Sequence, residues 1–400
     1  MNLLSGEVRL PALVLKEAAL ANNILLMAAY AAEHGFLLAP HGKTTMAPEL
    51  FRRQLEAGAW GITVANMTQA PVAYEAGAER VLVANELVSR ADAAAIAEIL
   101  AVAGRELYCL VDSVEGSRLL DANLEQAGAA RPLKVLVELG APGRRTGART
   151  EQEALVVAAE VAQSRHLALA GVEGYEGVLA SDRSPESLEK VDAFLVALRN
   201  LTARLADGGA FAGRASAIVS AGGSKYFDRV AEILGPKASR AGHYGSQGVQ
   251  LVVRSGCYVV HDHGTYAATS PLAGNGNRNG AGAGHLQAAL ELWAEVLSVP
   301  EPGLAIVGLG KRDAAYDLGL PVPLGVLRGG GLEPVPAAGL SELNDQHGYL
   351  RLGQPGPEVV VGDRVAFGIS HPCTAFDKWR TLLLVDAGYE VLDEVRTFFH

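Results

Sequence analysis

The chain has 400 residues, 49% of them hydrophobic and 20% charged, with 46 glycines, which is enough for one large domain and a smaller one. Its net charge of −10 gives no basic footprint for nucleic acid or for an anionic membrane surface, and neither is an expected partner. The cysteines Cys109, Cys257 and Cys373 are too few and too scattered for a disulfide framework. No stretch reaches the roughly 18 uninterrupted apolar residues of a membrane helix, and Met1 to Glu7 lack a signal peptide's basic start and apolar core, so a cytoplasmic location is expected.

Apolar strand-like runs fall at Phe36 to Ala39, Gly61 to Ala65, Arg80 to Ala84, Glu106 to Val111, Leu133 to Leu139, Leu167 to Val172 and Ser216 to Ser220, with an eighth strand fitted to Ala238 to Gly242. Between them, Ala-, Leu- and Glu-rich stretches with helical spacing run over Ala47 to Ala57, Ser89 to Val102, Glu151 to Gln163 and Glu186 to Leu205. Alternating strands and helices with nearly continuous apolar strands predict a parallel sheet covered by helices, and eight such units predict an α/β fold, a (β/α)8 TIM barrel. The alternation stops near Cys257. Beyond it, Leu304 to Leu309, Val359 to Val365 and Thr381 to Val385 read as strands of a second, mostly β domain. The Gly- and Asn-rich stretch from Ala273 to Gly284 reads as a flexible loop, because it lacks the lysine and the preceding strand of a phosphate loop.

A barrel of this kind carries its active site at the C-terminal ends of its strands. The first strand delivers His41 and Lys43, the fifth Gly143-Arg144-Arg145-Thr146-Gly147, the sixth Tyr175 and Glu176, the seventh Ala221-Gly222-Gly223-Ser224 and the eighth His243 and Tyr244. Lys43, ending an apolar run beside His41, is placed to lose its proton and attack a carbonyl, which points to Schiff-base chemistry. Snorkelling to solvent is the bland alternative for such a lysine. The turn Gly222-Gly223-Ser224 offers bare amides and a hydroxyl, which suit an anion such as a cofactor phosphate. Near the C-terminus, His371 and Cys373 stand two apart, so on an extended strand they share a face and can grip one metal ion, and imidazole with thiolate favours Zn2+. Asn344-Asp345-Gln346-His347-Gly348 adds a histidine in a glycine-bounded turn.

Pro40-His41-Gly42-Lys43-Thr44, Arg145-Thr146-Gly147, Gly222-Gly223-Ser224, Gln346-His347-Gly348 and His371-Pro372-Cys373, in this order over nearly the whole chain, resemble the D-serine dehydratase and D-threonine aldolase family of fold-type III pyridoxal phosphate enzymes, whose barrel is related to that of alanine racemase. The resemblance implies a barrel over residues 21–265 and a metal-carrying β domain of residues 1–20 plus 266–400, with Val8 to Leu15 as its N-terminal strand, and a homodimer. It implies that Lys43 carries pyridoxal 5'-phosphate and acts as base on the α-carbon, with His41 among the cofactor-binding residues. Gly222, Gly223, Ser224 and Tyr244 would hold the phosphate, Arg145 would approach the phenolic oxygen and Tyr175 would line the ring. His371 and Cys373 would be ligands of a divalent metal, Zn2+, with Gln346, His347 and Thr44 toward the substrate, a D-amino acid.

Within this resemblance, aldolases carry an aspartate where Cys373 stands and dehydratases carry the cysteine, so the expected reaction is elimination of water from a D-β-hydroxy amino acid such as D-serine or D-threonine, giving a 2-oxo acid and ammonia. Retro-aldol cleavage to glycine and an aldehyde is the alternative. Dehydratases place a valine where Gly42 stands, and its absence is expected to free space beside the lysine. An amino-acid racemase, with Tyr258 or Tyr266 as second base, would leave the His-x-Cys pair unexplained, and a non-catalytic cofactor carrier would leave the residues past 265 unexplained.

Overall fold

Eight parallel strands, Leu37–Leu38, Ile62–Val64, Arg80–Glu86, Glu106–Val111, Leu133–Leu139, Leu167–Gly174, Ala217–Ala221 and Val249–Val253, form the first sheet in the computed structural model, which describes residues 1–244, 248–274, 284–335, 338–353 and 359–399. From the second strand to the eighth each pairs with the next, and the eighth returns to the first through Leu37↔Val252 and Leu38↔Val253. The remaining seam, between the first and second strands, is closed by the bridge His41↔Thr63 and by Trp60 N donating to Leu38 O at 2.7 Å and Thr63 N to Pro40 O at 2.9 Å. The ring is therefore complete, as a (β/α)8 barrel requires. Its helices are capped by local sequence: Thr150 and Glu153 form a reciprocal capping box ahead of Glu151–Val161, and Gly128, with φ of 69°, ends Val114–Ala127 in the left-handed conformation.

The eighth strand is not where the sequence placed it. Ala238 to Gly242 lies at the end of a short helix, Pro236–Arg240, and the strand is Val249–Val253. The physical reason is composition: Ala-Ser-Arg-Ala-Gly has no β-branched or large apolar side chain to bury on a sheet, whereas Val-Gln-Leu-Val-Val does. The residues that follow the eighth strand are therefore Arg254, Ser255 and Gly256 in place of His243 and Tyr244.

The chain divides into two units: Met27–Lys43 with Leu50–Gly256, which holds the barrel, and Met1–Leu26 with Thr44–Glu49 and Cys257–His400. In the second, the N-terminal strand Ala12–Lys16 lies between Leu290–Glu301, antiparallel with Ala12↔Trp293, and Thr381–Val385, parallel with Val14↔Leu383. Leu3, Val14, Trp293, Ala366 and Val385 form its buried apolar centre. The strand expected from Val359 begins only at Arg364, because Val360–Asp363 turns: Gly362 has φ of 89° and the Asp363 carboxylate accepts from Val360 N at 2.8 Å. Most of the Gly- and Asn-rich stretch from Ala273 to Gly284 lies outside the described residues. Among the described residues, no helix is long and apolar enough to cross a membrane.

Candidate active site

Strand alternation builds the floor of the barrel mouth. Ala39, Leu82, Leu110, Leu136 and Val252 are buried together in the barrel core. Side chains repeat every second residue along a strand, so His41, Glu86, Asp112, Glu138 and Arg254, two or four positions further on, take the same inward direction one layer higher. An apolar core is thus capped by ionisable groups. Glu173, in register with Glu138 on the neighbouring strand, ion-pairs with Arg254, both almost fully buried. Burial raises the Glu173 carboxyl, and Arg254 opposes that rise. Glu86, Asp112 and Glu138 each offer an oxygen within 4.8 Å of the other two. Burial first, and then Glu138 and Asp112, push the Glu86 carboxyl up to about 9.

Folded Glu86 therefore keeps a proton that the unfolded chain loses near its ordinary value of 4.5, so this group's contribution to stability falls as pH rises from about 5 to about 9. Glu86→Gln, which cannot ionise, is expected to raise Tm relative to the parent by a margin that grows over that range. Melting both proteins by circular dichroism at pH 5, 7 and 9 checks this, and a margin independent of pH would contradict it.

Lys43 lies in a single 3-10 turn, Gly42–Thr44, separated from the first barrel strand by three residues, and is half-buried. Among the described residues its ammonium has no hydrogen bond or ion pair. Gly42 does not open space for a substrate: a Cβ there would stand 2.5 Å from Phe51 Cζ and 3.2 Å from Ile62 Cγ2, so the place of the missing side chain is already filled. Gly42→Val is expected to overpack the barrel by about 1–3 kcal/mol, read as a lower urea midpoint, and an unchanged midpoint would contradict the packing. Beside the lysine, desolvation and the charges of Lys43, Arg254 and Arg145 hold His41 well below its ordinary value, so its imidazole is neutral, and its Nδ1 is buried with no hydrogen-bond partner.

Arg145 is exposed on the loop after the fifth strand, its guanidinium 4.8 Å from the Tyr175 ring centroid. The loop is fixed from beneath. Arg149 donates to the carbonyls of Thr146 at 2.9 Å, Arg144 at 3.1 Å and Arg145, and Gly147 N donates to Asp112 Oδ2 at 3.1 Å. Gly147 must be glycine, since φ is 100° and a Cβ would lie 2.4 Å from Gly140 N.

Gly222, Gly223 and Tyr244, expected at the phosphate, already have hydrogen-bond partners within the chain. Gly222 N and Gly223 N donate to the two oxygens of the Glu176 carboxylate at 3.0 and 2.9 Å, so these amides do form an anion nest, and the anion they hold is the chain's own buried Glu176. Tyr244 is 1% exposed and donates its hydroxyl proton to Leu234 O at 3.1 Å, which leaves it no proton for a phosphate. Ser224 is buried at the turn ahead of helix Phe227–Leu234, and Ser255 donates to Gly223 O at 2.7 Å.

In the second unit, His371 precedes the 3-10 turn Pro372–Thr374, and its Nδ1–H donates to Asp317 Oδ2 at 2.8 Å. Thr374 donates to the other Asp317 oxygen at 2.7 Å. Burial works against ionisation of Asp317, yet the bonds from Thr374 and His371 leave its carboxyl below the ordinary value. A carboxylate on Nδ1 fixes the tautomer in which Nε2 keeps its lone pair free to ligate, the arrangement that holds metal-binding imidazoles in place. Cys373 Sγ lies 3.2 Å from Cys257 Sγ, and the Thr44 hydroxyl touches both sulfurs, at 3.6 Å to Cys257 and 3.5 Å to Cys373. Thr44 thus faces the thiols. The Cys373 sulfur chiefly, with Tyr266 and Thr44, pulls the Cys257 thiol down to about 6 against the effect of burial. Gln346 and His347 are exposed on the turn between strands Gly339–Leu343 and Gly348–Arg351, and no hydrogen bond or ion pair among the described residues joins them to His371 or Cys373.

Asp317, Cys257, Arg254, Glu173 and Glu176 had no assigned role in the sequence. Asp317 is 54 residues from its histidine, in Ala315-Tyr316-Asp317-Leu318, which carries no motif. Arg254 and Cys257 were hidden by the misplaced eighth strand, whose true end they follow.

Residues 15–231 match the family model "Alanine racemase, N-terminal domain", and residues 289–385 match "Putative serine dehydratase domain". The chain is 27% identical over 358 residues to a D-threonine aldolase of an Arthrobacter species, covering 88% of this chain and 82% of that protein. The crystal structure of D-threonine aldolase from Filomicrobium marinum superposes with a TM-score of 0.81 at 25% identity, over 98% of this chain and 95% of that one. D-threo-3-hydroxyaspartate dehydratase from Delftia sp. HT23 gives a TM-score of 0.76 at 22% identity, over 100% of this chain and 99% of that one. The chain belongs to the alanine racemase N-terminal domain family and also carries a match to the serine dehydratase domain, and the relatives it resembles are named as lyases, aldolases and dehydratases.

Proposed function

We propose that this chain is a pyridoxal phosphate- and metal-dependent lyase that removes water from a D-β-hydroxy amino acid, leaving a 2-oxo acid and ammonia. The observation that carries the reading is the His371 imidazole locked by Asp317 in a run that also supplies the Cys373 thiol, together with a rim lysine that has no protein partner among the described residues. When bound, pyridoxal phosphate is an electron sink for the substrate α-carbon and a divalent metal polarises the β-hydroxyl. The residues fit both groups. Lys43 would hold the cofactor, and the positive charges of Arg254 and Arg145 near the neutral His41, whose Nδ1 has no hydrogen-bond partner among the described residues, suit an anionic guest. Ser224, with the backbone that follows it, would receive the phosphate, since the amides of Gly222 and Gly223 already serve Glu176. Arg145, stacked on Tyr175, would face the phenolic oxygen.

Lys43 Nζ takes the α-proton as the general base. His371 and Cys373 offer one nitrogen and one sulfur, a pair suited to Zn2+ over harder ions. The balance is one water expelled from the Cα–Cβ unit and one taken up as ammonium leaves, so no oxidant or reductant is needed. The relatives named D-threonine aldolase favour a second reading, in which the Cα–Cβ bond breaks and the β-hydroxyl loses its proton, yielding glycine and an aldehyde. Product analysis separates them. With D-threonine, D-serine and D-threo-3-hydroxyaspartate as substrates, 2-oxo acid and ammonia in equal amounts support dehydration, whereas glycine with aldehyde would overturn it in favour of aldol cleavage.

A further inference from the structure

We propose that Cys257 is a third protein ligand of the metal held by His371 and Cys373, so that this chain presents two thiolates and one imidazole. The inference rests on the metal reading above and concerns a residue that reading does not use. Its basis is geometric. The two sulfurs, 116 residues apart in sequence, stand 3.2 Å from each other, and Cys257 is 5% exposed. That separation is far beyond the roughly 2.05 Å of a disulfide bond. A Zn–S bond of about 2.3 Å at a tetrahedral angle puts two ligand sulfurs about 3.8 Å apart, so the observed pair needs to part by only about half an ångström to share one ion.

The surroundings are those of a ligand set. Thr44 sets its hydroxyl against both sulfurs, where it can donate to a thiolate, and the His371 ring is oriented through Asp317. Tyr266 reaches both sides of the group: its hydroxyl bonds the Cys257 thiol and its ring centroid lies 6.3 Å from that of His371. Two thiolates with one imidazole fill three of four tetrahedral positions and leave the fourth for water or a substrate oxygen, the pattern of a catalytic zinc rather than a closed structural one. The donor set is also softer than a single thiolate with imidazole, so selectivity for Zn2+ over Mn2+ and Mg2+ rises.

Cobalt substitution tests this, because Co2+ reports each bound thiolate as a sulfur-to-metal charge-transfer absorption independent of turnover. Reduced, metal-free protein and its Cys257→Ser and Cys373→Ser variants, each holding pyridoxal phosphate, are titrated with Co2+ and then with Zn2+ as competitor. The expected result is stoichiometric cobalt in the parent, with Cys257→Ser losing about half of the charge-transfer intensity and binding about tenfold or more weakly. An unchanged band and affinity in Cys257→Ser, with loss in Cys373→Ser, would overturn the third ligand and leave the two-residue site standing. No thiolate band in the parent would overturn both, and circular dichroism of the variants excludes misfolding as the cause of a loss.

Discussion

Lys43→Ala is expected to lower turnover of a D-β-hydroxy amino acid by about a thousandfold or more, because it removes both the attachment point of the cofactor and the group that accepts the α-proton. The same variant is expected to lose the visible absorbance of the bound cofactor on gel filtration, while the parent keeps it. Stability should change little: Lys43 is half-buried, in a short turn, and its ammonium has no hydrogen bond or ion pair among the described residues. A far-ultraviolet spectrum and Tm close to the parent's therefore accompany the loss. Retention of both cofactor and turnover would remove Lys43 from the chemistry and return it to the role of a solvated strand-end lysine.

The second large effect belongs to Asp317 and His371. His371→Ala is expected to abolish high-affinity metal binding, and Asp317→Asn to weaken it by about 10- to 100-fold, because the amide does not hold the Nδ1–H of His371 as the carboxylate does at 2.8 Å. Turnover at fixed trace metal falls in step, and excess Zn2+ restores Asp317→Asn but not His371→Ala. Metal content after dialysis measures the first part, and activity against added zinc the second. An Asp317→Asn protein that keeps the parent's metal content and zinc dependence would show that the carboxylate only ties down the loop through Thr374.

The barrel was legible because its strands are bounded apolar runs. Glu106–Val111 and Leu133–Leu139 were read to the residue, since both are rich in Leu and Val between polar turns. The last strand was misread where Ala238 and Ala241 stood in for a hydrophobic run that their size cannot supply. That error also put His243 and Tyr244 on the rim, although the Tyr244 hydroxyl bonds Leu234 O, and left Arg254 and Cys257 without a place. The hydrogen bonds of the Gly222 and Gly223 amides to Glu176 were not legible, because nothing in the spacing of Tyr175-Glu176 shows that the second side chain turns back onto those amides. Contacts between residues distant in sequence, such as His371 with Asp317 and Cys257 with Cys373, leave no periodic signal, and only the folded chain displays them.

The choice of substrate hand and bond tests the account most directly. The purified protein, loaded with pyridoxal phosphate and Zn2+, is given D-threonine, L-threonine, D-threo-3-hydroxyaspartate and its L-enantiomer in separate reactions, with and without a zinc chelator, and oxo acid, ammonia, glycine and aldehyde are quantified. Consumption of a D-isomer alone, to oxo acid and ammonia and only without chelator, is the predicted result; equal consumption of the L-isomers, or turnover indifferent to the chelator, would contradict it.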